Sequence, residues 1–162
     1  MPSYLRITPL TLEESLVRPR LAVLVALGAL ACGGPGPGKV APQSPQETLT
    51  QFMSAVKAND LERMRTLWGS ERGLASDRMN ADDVKQRLTV LQIYLNYVGY
   101  RVIEGPLPVP KREDRVTFRV ELQRAKGCTV VVPLEVARAG SRWFVVGTDL
   151  AAIPNPAEPC KS

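Results

Sequence analysis

Apolar positions along this chain keep two rhythms. From residue 44 to residue 68 and again from residue 80 to residue 98 they recur at intervals of three and four, and beyond Gly99 at intervals of two. The first spacing puts apolar side chains on one face of a helix, the second on one face of a strand. Ser44-Pro45-Gln46-Glu47 opens the first helix: a serine caps the free amides, a proline fits the first turn, and Glu47 reaches back to the capping residue's amide. Leu49, Phe52, Met53 and Val56 form its buried stripe. Asn59-Asp60-Leu61-Glu62 interrupts that stripe and caps a second helix, in which Leu61, Met64, Leu67 and Trp68 face the core. Gly69 to Ala81 is polar and without period, a loop with at most a turn of helix. Asn80 or Asp82 then starts the longest helix, whose Val84, Leu88, Leu91, Leu95 and Val98 recur at four, three, four and three until Gly99 ends it.

Past Gly99, Tyr100 to Glu104 reads as a short strand, Gly105 to Pro110 as a proline-rich break and Lys111 to Asp114 as a charged turn. Val116, Phe118, Val120 and Leu122 alternate with Thr117, Arg119, Glu121 and Gln123, which predicts a strand dry on one face and wet on the other. Ala125-Lys126-Gly127 turns the chain into a strand from Cys128 to Ala137. Arg138-Ala139-Gly140-Ser141 turns it again into Arg142 to Asp149, and the tail from Ile153 to Ser162 is irregular. Such short links require antiparallel neighbours. The expected fold class is therefore α+β, with N-terminal helices packed on one face of a curved antiparallel sheet of three to four strands.

This plan resembles the nuclear transport factor 2-like, or cystatin-like, superfamily, in particular its small bacterial lipoproteins. The resemblance is carried by Gln46-Glu47-Thr48-Leu49-Thr50-Gln51-Phe52-Met53-Ser54-Ala55, by Asn59-Asp60-Leu61-Glu62 with Leu67-Trp68, and by the closing Trp143-Phe144-Val145-Val146. It spans roughly residues 45 to 150 and implies a cone-shaped sheet wrapped on helices. The family's usual first strand would fall within Gly69 to Ala81, where the sequence shows only a loop.

Ahead of the domain lies a different composition. Arg18-Pro19-Arg20 precedes eleven residues, Leu21 to Ala31, drawn only from Leu, Ala, Val and Gly, and Cys32-Gly33-Gly34 follows. Eleven apolar residues are too few to cross a hydrocarbon core, which takes roughly 20 in a helix. The segment resembles a bacterial lipoprotein signal peptide, which implies that Cys32 becomes the first mature residue and carries the lipid; an ordinary cleaved signal is the other reading. Met1 to Val17 contains Glu13 and Glu14 and does not look like the positive start of a signal, so Val17, directly before Arg18, is an alternative start. The expected organisation is a signal over 1–31, a lipidated cysteine and Gly/Pro-rich tether over 32–44, and a single domain over 45–162. Twelve residues of such a tether reach at most about 40 Å.

Composition narrows the chemistry. Beyond Ala31 the chain has 18 basic and 14 acidic residues, a net of +4, scattered rather than clustered, which argues against nucleic acid as a partner. Export implies an oxidising setting in which Cys128 and Cys160 are expected to pair, closing a loop of about 33 residues worth roughly 3–4 kcal/mol in chain entropy; two unrelated thiols are the alternative. No histidine occurs anywhere, which removes the commonest general base and offers no familiar zinc spacing, so neither metal nor cofactor is expected. Related isomerases, by the family resemblance, work with a carboxylate and a tyrosine in an apolar cone. The groups that such an enzyme would draw on here are Glu135 and Asp149 with Tyr94, Tyr97 and Tyr100. Trp68, Tyr94, Tyr97 and Trp143 are the candidate lining of a pocket.

The reading that results is an exported protein, lipid-anchored through Cys32, with its domain in the periplasm or at the cell surface. Its expected role is non-catalytic, binding a small apolar ligand or another envelope protein through the concave side of the sheet. The alternative is a histidine-free isomerase or dehydratase.

Overall fold

The structure, a computed structural model, describes residues 40–158. Helix α1 (Pro45–Ala58) starts where the capping pattern places it: Ser44 Oγ accepts a hydrogen bond from the Glu47 amide at 3.1 Å. Glu47 reaches back one residue further than expected, its Oε2 accepting from the Gln43 amide at 2.9 Å. Asn59 ends the helix in a left-handed conformation, φ 53°, one that asparagine tolerates better than most residues. Asp60 caps α2 (Leu61–Leu67) through Arg63 N at 2.8 Å. Asn80, the first of the two expected starts, caps α3 (Ala81–Leu95) through Asp83 N.

Three stretches differ from their sequence patterns. The loop after α2 holds two short paired strands, β1 (Gly69–Ser70) and β2 (Gly73–Leu74), followed by a single 3-10 turn at Ala75–Asp77. Two-residue strands are too short to show an alternation, so their pairing left no trace in hydropathy. Next, α3 stops at Leu95, and Val98, expected on its buried face, is 57 % exposed. Finally, the proline-rich break is not a break. Strand β3 (Gly99–Val109) runs through Pro106 and Pro108 and pairs with β4 (Arg112–Gln123), with register shifts between Val102 and Glu104, between Glu104 and Leu107, and between Pro108 and Val109. It is an edge strand, where a missing N–H leaves no ladder bond unmade.

Strands β5 (Thr129–Ala139) and β6 (Arg142–Gly147) complete an antiparallel sheet in the order β3-β4-β5-β6, an α+β architecture with a curved, open sheet. Val116, Phe118, Val120 and Leu122 of β4 stand opposite Val136, Leu134, Val132 and Val130 of β5, so one face presents an unbroken apolar surface. The helices cover it. Phe118, Val120, Leu122, Val132, Leu134, Val136 and Val145 are fully buried in one cluster with Leu49, Phe52, Met53, Val56, Met64 and Leu88.

The opposite face is covered over a smaller area. Ala137 and Phe144 are register partners one residue on from the core pair Val136 and Val145, so their side chains point away from the helices, yet both are buried. Strand β1 packs against β5 and β6, and Glu71 in its turn reaches Arg115, the β4 partner of Ala137. Trp68 also forms a parallel bridge with Val145 at the free edge of β6.

Two substitutions test this packing by urea denaturation. Phe118→Ala is expected to lower stability by about 3–5 kcal/mol, as for a large side chain removed from a close-packed interior. A Cβ on Gly69 would collide with the Gly73 carbonyl oxygen, so Gly69→Ala forces β1 and β2 apart at an expected loss of about 1–3 kcal/mol.

Candidate functional site

With the sheet's inner face covered, the open concave features described lie on the two flanks of α3. One cleft, about 450 Å³, is walled by Trp68, Val90, Leu91, Val146 and Leu150, with Gln86 and Arg87 at its rim. The other, about 500 Å³, lies between Ile93 of α3 with Asn96 just past its end, the β4–β5 turn with Cys128, and the segment from Ala151 to Glu158. Both volumes fall within the range of small-molecule sites.

Each flank has a structural origin. Trp68 follows the last residue of α2 and is fixed by a hydrogen bond from its Nε1 to the Val146 carbonyl at 3.0 Å, which turns the indole into a wall of the first cleft. Beyond β6, Asp149 caps a 3-10 turn (Leu150–Ala152) by accepting from Ala151 N, and this turn brings Leu150 to the first cleft and Ala152 to the second. In the second cleft the cations are already engaged. Arg124 donates to the Asn96 and Tyr94 carbonyls at the end of α3, and its burial lowers the guanidinium pKa. Lys126 Nζ donates to the carbonyls of Pro156, Ala157 and Glu158. That cleft is a clamp holding the tail against the β4–β5 turn.

The residues anticipated as pocket lining do not converge. Of the four, Trp68 alone borders one of these two clefts. Tyr97 is buried and donates its hydroxyl to the Met53 carbonyl at 3.0 Å; burial, helped by Tyr100, holds the hydroxyl above its ordinary pKa. Lys57 donates to the Tyr97 and Val98 carbonyls and lies 5.2 Å from the Tyr97 ring centroid, so this tyrosine ties α1 to the chain between α3 and β3. Tyr94 packs half-buried against the core, and the Trp143 ring lies beneath the Arg138 guanidinium. Tyr100 meets Tyr97 edge-on at 5.0 Å. Glu135 is paired with Arg115 and Asp149 is a helix cap, so neither carboxylate stands free beside a tyrosine.

Sequence reading missed a concentrated ionic group among the described residues. Arg115 Nη2 lies 2.6 Å from Glu71 and its Nη1 2.9 Å from Glu135, while Arg112 approaches Glu71 at 3.4 Å and Asp114 at 3.5 Å. Burial pulls the Arg115 pKa down, but hydrogen bonds to the two glutamates outweigh it and leave the guanidinium raised. The hydrogen bond from Arg115 is the largest cause of the lowered Glu71 pKa. Because Glu71 comes from the loop and Arg115 from β4, 44 residues apart, the sequence offered only two ordinary surface charges. The group has the makeup of a clasp: it pins the β1–β2 turn across the sheet.

Among the described residues no group of three or more His, Cys, Asp or Glu side chains is placed to hold a metal ion, and no helix is long and apolar enough to cross a membrane. Cys32 and Cys160 lie outside the described residues, as do the signal segment and most of the tether. No family model, no curated protein and no solved structure matches the chain.

The clasp makes a pH-dependent prediction. A carboxylate whose pKa is depressed by folding contributes stability above its unfolded value, near 4.3, and loses it as the pH falls through the folded value. Glu71→Gln is therefore expected to lower stability by about 1 kcal/mol or less at pH 7, the modest size reflecting partial exposure. Thermal melts should show that difference shrink progressively as the pH falls below the ordinary glutamate value.

Proposed function

We propose that this chain is an exported, lipid-anchored envelope protein, held to the membrane through Cys32, whose α+β domain is a non-catalytic binding module for a small apolar ligand or another envelope protein. One observation carries the reading: two arginines, eleven small or apolar residues, a cysteine and then a Gly/Pro tether stand in unbroken order before the first helix cap. That order supplies the parts of an exported, acylated anchor followed by a spacer.

The fold supports the binding half of the reading. The side chains that fill the sheet's inner face are Val, Leu and Phe, and the carboxylates that an isomerase-type site would use are engaged elsewhere, Glu135 by Arg115 and Asp149 by Ala151. Surface clefts flanking α3 remain, and these replace the concave sheet face as the place for a ligand. In support of the resemblance to the nuclear transport factor 2-like superfamily, β1 and the Trp68–Val145 bridge give the stretch between α2 and α3 extended structure, where that resemblance leads to the expectation of a first strand. For the cysteines we propose the Cys128–Cys160 pair. Lys126 draws the carbonyls of residues 156 to 158 toward the turn that precedes Cys128, and Cys160 follows two residues later.

Labelling cells with a radioactive fatty acid tests the anchor: Cys32→Ser should abolish the label and move the protein from the membrane to the soluble fraction. Persistent labelling would overturn the assignment of Cys32. For the bridge, thiol counting on denatured, exported protein should find two more free thiols after reduction than before; equal counts exclude it.

A further inference from the structure

We propose that the cleft beside Trp68 binds an amphipathic anion of the fatty-acid type, its apolar body against Trp68, Val90 and Leu150 and its carboxylate on Arg87. The proposal rests on the binding-module reading and names the ligand class for that module.

The cleft mixes apolar side chains, Trp68, Val90, Leu91 and Leu150, with polar lining from Gly147 and Thr148, and carries a cation, Arg87, at its rim. Val90 is 38 % exposed and stands one turn from the rim residues Gln86 and Arg87. Arg87 makes no hydrogen bond or ion pair among the described residues. The carboxylate one turn before it, Asp83, instead accepts from Asn80 Nδ2 at 2.8 Å. No acidic residue lines this cleft. An unpaired guanidinium beside an indole and Val90 matches a ligand with one acidic head and a greasy body, since a carboxylate takes charge-assisted hydrogen bonds from Arg while the chain displaces water from the apolar side chains. The second cleft lacks this complementarity, because Arg124 and Lys126 are spent on backbone carbonyls.

Trp68 supplies its own reporter. In the full chain carrying Trp143→Phe, which leaves Trp68 as the remaining indole, titration with decanoate below its micellar concentration should give a saturable change in tryptophan emission. Decyltrimethylammonium, with the same chain and the opposite charge, should give none. Adding Arg87→Gln should weaken decanoate binding by about tenfold or more, the share of a charge-assisted hydrogen bond, while leaving the weak binding of decanol unchanged. Arg87 is exposed, so this variant should fold as the parent does. Absence of saturation with decanoate, equal binding of the ammonium, or an Arg87→Gln variant that binds decanoate as tightly as its parent would each overturn the proposal. The fatty-acid labelling of Cys32 is a separate readout: a chain that is acylated and ignores decanoate keeps its anchor and loses this ligand.

Discussion

The constraint on which the domain depends is that one face of a four-stranded sheet must be kept dry by three helices. Alternation in β4 and β5 produces that face, and the cross-strand register makes it continuous, with Phe118 opposite Leu134 and Val120 opposite Val132. A 15-residue helix is about 22 Å long and about 10 Å across, so α3 cannot shield the sheet's full width. Its two sides are completed by other parts of the chain. On one side stands Trp68, locked to β6; on the other lies the segment after β6, held by Lys126. The clefts are what remains between these pieces, which is why both run beside the same helix.

Charge is distributed by the same geometry. On the face away from the helices, arginines and glutamates sit as cross-strand neighbours: Arg101 with Glu121 at 2.7 Å, Arg119 with Glu104 at 3.0 Å, and Arg115 with Glu135 at 2.9 Å. Exposed pairs of this kind contribute little each, but they neutralise the sheet surface. The excess positive charge of the chain is thereby left to residues such as Arg87, which makes no ion pair among the described residues and borders Val90 and Trp68 in its cleft. A weakly basic protein thus has a locally selective surface, and no basic stripe is needed to produce it.

How much of this was legible in the chain follows from the range of the interactions. The helix starts at Ser44, Asp60 and Asn80 and the alternation of β4 are encoded within a few residues, and they emerged as read. The strand pair in Gly69–Leu74 and the course of β3 through its prolines depend on partners far along the chain, and local composition pointed the wrong way for both. Aromatic residues misled in a consistent manner. Tyr97 and Trp143 were grouped with Trp68 because large rings often line pockets, whereas Tyr97 fastens two elements through its hydroxyl and Trp143 lies under an arginine. The rim of the cleft was invisible for the opposite reason: Arg87 lies off the apolar stripe of α3, on what reads as an ordinary wet face.

Strand β3 has a consequence of its own. It carries two prolines and three breaks in its register with β4, so it offers no straight row of backbone groups to a neighbouring molecule. Copies of such a domain could stand shoulder to shoulder at high density without zipping their sheets into a shared ribbon. The irregularity that hid this strand from its sequence is thus also a guard against self-association.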